Sequence, residues 1–327
     1  TDLFDFTRRP FGPTSAQFKT RVDLFRQGMD RTVGDCDVIH YPSPQVIDSR
    51  QKNIVVTVHD LIYKTYPQSH TPETIRLTEA CMASVVDRAR AIICISESTR
   101  ADLERLFPAT RGRTKVVLNG VDHSRFYALN GPQRVEAVRH LETLGVAQPF
   151  LLFVGTLEPR KNLPNILRAF AQFKPVMRYG GKLVVVGMKG WLDGAIRPLA
   201  DKLGIEKDVI FLGYLTDDEL RYLYNLTDAF VFPSFYEGFG FPVVEAMACG
   251  ASVVTSHVSA CAEVAGDGAL SVDPASPEAI VDALRRIASG PDFRRELSRQ
   301  AIKRARLFTF RRMAEETLAV YRQVASG

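Results

Sequence analysis

SFYEGFGFPVVEAMACG, residues Ser234–Gly250, sets Glu237 and Glu245 eight positions apart around a Gly-Phe-Gly turn. An apolar run from Ala229 to Phe232 leads into it through Pro233 and Ser234, and a helical pattern follows from about Gly240 to Ala248. The stretch therefore reads as strand, carboxylate-bearing loop and helix. Gly238 and Gly240 let the chain turn tightly and bring N–H groups close to a ligand, where a helix N-terminus favours phosphate oxygens. With Glu237 ahead of the helix and Glu245 in its second turn, each carboxylate can serve a different part of one elongated ligand, such as the hydroxyls of a sugar and of a ribose. An ordinary strand-to-helix turn with Glu245 solvated on an amphipathic helix accounts for the same residues equally well.

On either side of this stretch, short apolar runs alternate with helical patterns. The second half predicts strands at 150–154, 182–187, 208–212, 228–232, 251–255 and 269–272. The first half predicts them at 38–41, 53–57, 91–95 and 115–118, with a helix over 71–89. Residues 119–149 read as a polar linker holding one short helix at 132–144. The fold class is α/β, two doubly wound Rossmann-like domains with parallel strands buried on both faces. Ligands of such sheets sit beyond the carboxyl ends of the strands, where Gly155, Gly187, Gly213 and Ser234 fall.

At 327 residues the chain exceeds the size at which one hydrophobic core keeps growing, so two domains are expected, 1–148 and 149–309, followed by a last helix over 310–327. The formal charge is 42 minus 37, or +5. Arg294, Arg295, Arg299, Lys303, Arg304, Arg306, Arg311 and Arg312 crowd together against Glu296 alone. This run reads as the wet face of terminal helices, with a membrane-facing or polyanion-facing patch as the alternative. Without interleaved exposed aromatics it does not point to nucleic acid. No run of 18 apolar residues and no leader pattern appears, so the expected location is cytoplasmic, with any membrane contact peripheral at the inner face. The five cysteines lack C-x-x-C spacing and read as reduced core residues.

Arg160 and Lys161 follow the strand at 150–154 and precede a helix near Pro164. A fork-shaped guanidinium beside a mobile ammonium makes a clamp for phosphate oxygens, and a solvated turn with Glu158 paired to Arg160 is the plain alternative. His59, in VVTVHDLIYKTYP, stands just after a strand, where an imidazole can donate to a sugar hydroxyl or a carbonyl, and Asp60 can orient it or cap the turn. Ser96 reads as the cap of a helix that opens with Glu97, and Asp217-Asp218 reads as the opening of another rather than as a metal site. His40, following another strand in VIHYPSP, is a candidate for lining the acceptor side.

The E-x7-E spacing of Glu237 and Glu245 resembles the signature of retaining, nucleotide-sugar-dependent glycosyltransferases (group 1, GT4-like). The likeness continues through VGTLEPRKN (Val154–Asn162), LVVVGMKGW (Leu183–Trp191), VIFLGYLTDDEL (Val209–Leu220) and Val272–Pro274, in order over roughly 120 residues. It implies the GT-B architecture, two such domains facing a central cleft with the donor held by the second. The resemblance carries Glu237 over as the donor-sugar contact, Glu245 as the ribose ligand, and Arg160 and Lys161 as the diphosphate clamp. It carries His59 over as a sugar contact from the other domain. Gly155, Thr156, Gly238, Phe239 and Gly240 are expected beside the nucleotide. The loop holding His257, Ser259 and Glu263 would lie near it, although an N-cap and a solvated Glu explain those residues as well. Asn119–Asp122 resembles the turn before the interdomain linker, and the resemblance implies that the last helix, 310–327, crosses back to pack on the first domain.

The chemistry so implied is same-face attack by an acceptor hydroxyl, with the leaving diphosphate taking its proton and no metal required. The spelling looks most like bacterial mannosyltransferases of polysaccharide assembly, so GDP-mannose is the first expected donor and a UDP-sugar such as UDP-glucose the second. The acceptor is expected to be a glycan or lipid-linked saccharide. A sugar-nucleotide epimerase of the same fold and a non-catalytic saccharide-binding protein are the remaining readings. A dinucleotide oxidoreductase is disfavoured because no G-x-G-x-x-G joins an early strand to its helix. The opening TDLFDFTRRPFGP departs from the family pattern, which begins with a strand and a glycine-rich loop near the donor phosphates. This departure leaves two expectations: roughly 40 to 70 residues precede Thr1 in the full protein, or this part of the fold is unusual.

Overall fold

The computed structural model describes residues 36–47, 49–188 and 193–326. The opening segment discussed above and Trp191 lie outside the described residues.

The first half comprises β1 (Ile39–Tyr41), β2 (Ile54–Val58), α1 (Ile62–Thr65), α2 (Pro72–Arg88), β3 (Ala91–Cys94), α3 (Glu97–Leu106) and β4 (Thr114–Val116). Its strands form a parallel sheet in the order β1-β2-β3-β4. The chain then runs through α4 (Gly131–Thr143), β5 (Phe150–Val154), α5 (Leu163–Val176), β6 (Lys182–Val186), α6 (Asp193–Lys202), β7 (Val209–Leu212), α7 (Asp217–Leu226) and β8 (Ala229–Phe232). It finishes with α8 (Phe241–Ala248), β9 (Val253–Ser256), α9 (Ser259–Ala265), β10 (Leu270–Val272), α10 (Pro277–Ser289), α11 (Pro291–Ala305) and α12 (Phe310–Ser326).

The second sheet is six-stranded and parallel, in the order β10-β9-β8-β5-β6-β7. From β5 the chain builds outward through β6 and β7, then returns to lay β8 on the other side of β5, with Leu151 opposite Ala229. The switch point beyond the carboxyl ends of β5 and β8 is the crevice where doubly wound sheets hold ligands. β2, β3, β5, β8 and β9 are buried along their whole length, because helices cover both faces. That burial is why these strands read as unbroken apolar runs and not as alternating ones.

Local signals fix the helix starts. Ser96 accepts from Thr99 N–H at the head of α3, and Thr216 with Glu219 closes a capping box on α7. Asp217 and Asp218 thus occupy a helix first turn, as expected.

One packing result differs from the sequence reading. Residues 119–149 are not a wet linker: Phe126, Leu129, Ala137, Leu141 and Val146 are buried in the same apolar cluster as Phe150 and Leu226. Asn225 reinforces this by accepting from Leu129 N–H and donating to the Tyr127 carbonyl. A boundary at 148 therefore does not coincide with the packing, since α4 adds its apolar face to the second core. The last helix, α12, lies on the first sheet, where Val320 and Val324 pack against Val55, Ala91 and Ile93. His40 is taken up in this contact: its Nδ1 is 2.5 Å from Tyr321 Oη and its Nε2 2.8 Å from Thr57 Oγ1. It ties the first sheet to the last helix.

The basic run divides in two. Arg294 pairs with Asp228, and Arg304 donates to the Val264 and Glu263 carbonyls while its guanidinium lies 5.3 Å from the Phe308 ring. Arg295, Arg299, Arg311 and Arg312 are exposed and paired with acids one helical turn away.

Candidate functional site

The loops after β5 and β8 meet at the crevice. After β5 the chain makes a tight turn over Pro159–Lys161, and Asn162 leaves it with φ 64°, a left-handed conformation that Asn tolerates better than most residues. Asn162 is 2% exposed, and its Nδ2 donates to the Pro233 and Pro274 carbonyls. One side chain thus staples the segments that follow β5, β8 and β10. The Arg160 carbonyl accepts from Phe235 N–H and lies 2.9 Å from Ser234 Oγ, docking the second loop on the first.

This docking buries Glu237 among cations. Its Oε1 is 2.6 Å from Lys161 Nζ and accepts from Ser234 Oγ at 2.8 Å, while its Oε2 is 2.9 Å from Arg160. Arg160 also pairs with Glu158 at 2.9 Å and donates to the Tyr236 carbonyl. The Glu158 pairing that the sequence offered as the plain alternative is thus present, and Glu237 shares the same guanidinium. Beneath the ammonium, the Phe232 ring lies 4.9 Å from Lys161 Nζ. Burial pushes the Glu237 carboxyl up, but Lys161 and Arg160 together outweigh it and hold the group below the ordinary carboxylate range.

Glu245 lives in a different environment. It is partly buried in the second turn of α8, and its Oε2 accepts from Tyr224 Oη at 3.1 Å. Burial raises its pKa to about 7; the Tyr224 bond opposes the rise and Asp217 adds to it. The two acids of the opening stretch therefore have separate partners and opposite electrostatic tuning.

The turn between them explains its glycines. A Cβ on Gly238 would sit 2.1 Å from the His59 carbonyl oxygen, so only glycine permits this approach of the two halves. Gly240, at φ 102°, bends the chain into α8. Phe239 turns the other way: at 2% exposure it packs on Phe308 in the core and against the exposed Phe241, leaving only its main chain for a ligand. Gly155 is partly buried and Thr156 exposed at the end of β5. His59 is exposed, and its Nε2 donates to the Pro42 carbonyl at 2.8 Å.

The first half reaches this loop through residues that sequence explained otherwise or passed over. Ser96 does more than cap α3, because its Oγ donates to the Gly238 carbonyl at 2.7 Å, and Thr99 Oγ1 contacts the same oxygen at 3.2 Å. Tyr236 donates to Asp102 at 2.8 Å. Glu263, in a segment read as a solvated helix end, accepts from the N–H groups of Glu97 and Ser98 and so caps α3 from the opposite half. Ser259 holds φ 56°, and its Oγ accepts from Glu237 N–H. None of these pairings is visible in sequence, since the partners lie 22 to 166 positions apart. Among the described residues, no group of three or more His, Cys, Asp and Glu gathers as a metal ligand set.

A charge-clamped carboxylate at a topological switch point, facing a second α/β half, suits a phosphorylated ligand with a polyhydroxylated end. Comparisons with known proteins agree. Residues 139–304 match the family described as glycosyl transferases group 1, and residues 4–125 match glycosyltransferase family 4. The chain is 32% identical to O-antigen chain mannosyltransferase B of Escherichia coli, across 88% of this chain and 74% of that protein. Among solved structures, sucrose-phosphate synthase of Thermosynechococcus elongatus superposes with a TM-score of 0.78 at 25% identity, over 97% of this chain and 81% of that one. Anabaena Alr3699/HepE, solved with UDP and glucose, gives 0.73 at 22% identity over 97% and 83%, a likeness of fold alone. The chain belongs to the group 1 glycosyl transferases and is a glycosyltransferase of GT-B fold.

Proposed function

We propose that this glycosyltransferase moves a mannosyl unit from GDP-mannose to a glycan or lipid-linked saccharide, with retention of anomeric configuration. The observation that carries this reading is the Arg160–Lys161–Glu237 cluster at the crevice between β5 and β8. Similarity to an O-antigen chain mannosyltransferase supports the choice of sugar. As the bond from the anomeric carbon to phosphate breaks, negative charge grows on the leaving diphosphate, and fixed cations in a buried site stabilise it. Arg160 and Lys161 supply those cations, so this reading needs no metal ion. Glu237 takes hydroxyls of the donor sugar, His59 approaches that sugar from the first half, and Glu245 takes the ribose hydroxyls. The main chain at Gly155, Thr156 and Gly238–Gly240 lies beside the nucleotide. The acceptor hydroxyl attacks from the face the diphosphate leaves, and its proton passes to a phosphate oxygen.

A UDP-hexose is the second reading, favoured by the fold shared with a neighbour solved with UDP and glucose. Among the described residues no helix is long and apolar enough to cross a membrane, and work on a lipid-linked acceptor would take place by peripheral contact. The test is to incubate the protein with GDP-mannose or UDP-glucose and mannosylated acceptors on lipid-like aglycones. Products are read by mass spectrometry and their anomeric configuration by NMR. An α-mannosyl product supports the proposal, transfer from UDP-glucose alone selects the second reading, and an inverted product overturns the mechanism.

A further inference from the structure

The cations assigned to the diphosphate are already engaged. Glu237 takes a hydrogen bond from Lys161 and pairs with Arg160, and at 7% exposure it has little water to fall back on. A diphosphate arriving at Arg160 and Lys161 brings like charge beside this carboxylate, so the two compete for the same donors. Building on the function proposed above, we infer that Glu237 is a built-in competitor of the donor diphosphate, held in that position by Ser234, and that it ejects the spent nucleotide. With intact donor, the sugar hydroxyls give the displaced carboxylate new hydrogen-bond donors. Once the sugar has been transferred they are gone, and a buried carboxylate without partners is costly. Its return to Lys161 and Arg160 then favours release of the nucleoside diphosphate.

Ser234 is a positioning residue in this scheme. Its Oγ lies 2.8 Å from Glu237 Oε1 and also within reach of the Arg160 and Tyr236 carbonyls. Removing the hydroxyl loosens the carboxylate on the cations without removing the charge that grips the sugar.

The experiment is calorimetric titration of wild type, Glu237→Gln and Ser234→Ala with inorganic pyrophosphate, GDP and GDP-mannose, and with UDP and UDP-glucose if the guanine ligands do not bind. Removing one charge-assisted competitor is expected to tighten pyrophosphate and nucleoside diphosphate about tenfold in Glu237→Gln. The preference of wild type for intact donor over spent nucleotide then collapses in that variant. In Ser234→Ala, nucleoside diphosphate tightens by about threefold and the preference for intact donor survives. If wild type binds nucleotide and both variants bind pyrophosphate and nucleoside diphosphate unchanged or more weakly, the competitor is refuted while the donor assignment stands. Should Glu237→Gln fail to fold, Ser234→Ala decides alone, and unchanged or weaker binding by it refutes the inference. Wild type that binds no nucleotide overturns the functional reading and this inference together.

Discussion

Glu245→Gln should raise stability at alkaline pH and lower nucleotide affinity. The Glu245 carboxyl has its pKa raised from 4.5 to about 7, with burial as the main cause. A group that binds its proton more tightly when folded makes the protein less stable as pH rises through that window, because the unfolded chain ionises first. At 1.36 kcal/mol per pH unit, ionising it in place costs about 3 kcal/mol; since water reaches this partly buried side chain, roughly half of that is retained. Glutamine keeps the shape and an oxygen for Tyr224 Oη but cannot ionise. The variant should therefore melt about 3–6 °C higher at pH 8, with the gain shrinking to about a quarter by pH 5. Differential scanning calorimetry of both proteins from pH 5 to 8 measures this directly. A gain that stays flat with pH, or a lower melting temperature at pH 8, would refute the assignment of a burial-raised carboxyl. If Glu245 also takes the ribose hydroxyls, wild-type nucleotide binding strengthens with a midpoint near pH 7, and the variant loses that dependence.

Gly238→Ala puts a methyl group 2.1 Å from the His59 carbonyl oxygen and 2.9 Å from Asp60 Cβ, so the halves must separate. We expect about 1–3 kcal/mol of destabilisation and a larger radius of gyration by small-angle scattering; an unchanged radius contradicts the close approach. Lys161→Ala leaves Glu237 with Arg160 and Ser234 only, costing about 3 kcal/mol by urea unfolding. Because the Glu237 pKa lies below 4.5, its stabilisation is present above that pH and lost as pH falls through the folded value. Acid unfolding of Lys161→Ala should thus begin at higher pH than in wild type, and an unshifted acid transition would count against the pairing. Glu263→Gln weakens the cap that one half places on α3 of the other. About 1 kcal/mol should be lost, with faster amide exchange confined to the head of α3, and protection equal to wild type would show the contact to be idle.

Much of the architecture was legible because burial and periodicity are local properties. Parallel strands covered on both faces must be apolar throughout, so β5, β8 and β9 announce themselves within a residue or two of their observed ends. Capping chemistry is equally local, as at Ser96. The linker was misread for the same reason. The helix over 131–143 is mostly polar, and its buried side, Ala137 and Leu141, matters only against a partner surface that local pattern does not contain.

By itself, then, the sequence determined the α/β alternation, the turns that need glycine, and the presence of acid and base on loops at the carboxyl ends of strands. Tertiary structure alone decided which loops become neighbours. The return of the chain from β7 to the far side of β5 brings Glu237 onto Arg160 and Lys161 across 76 positions, and leaves Glu245 with Tyr224 instead. It likewise turned Ser96 and Glu263 from caps and solvated ends into contacts between the halves. The physical reason is range. Propensity and hydrophobic pattern act within a turn or a strand, whereas charge pairing and desolvation depend on distances that only the closed fold creates.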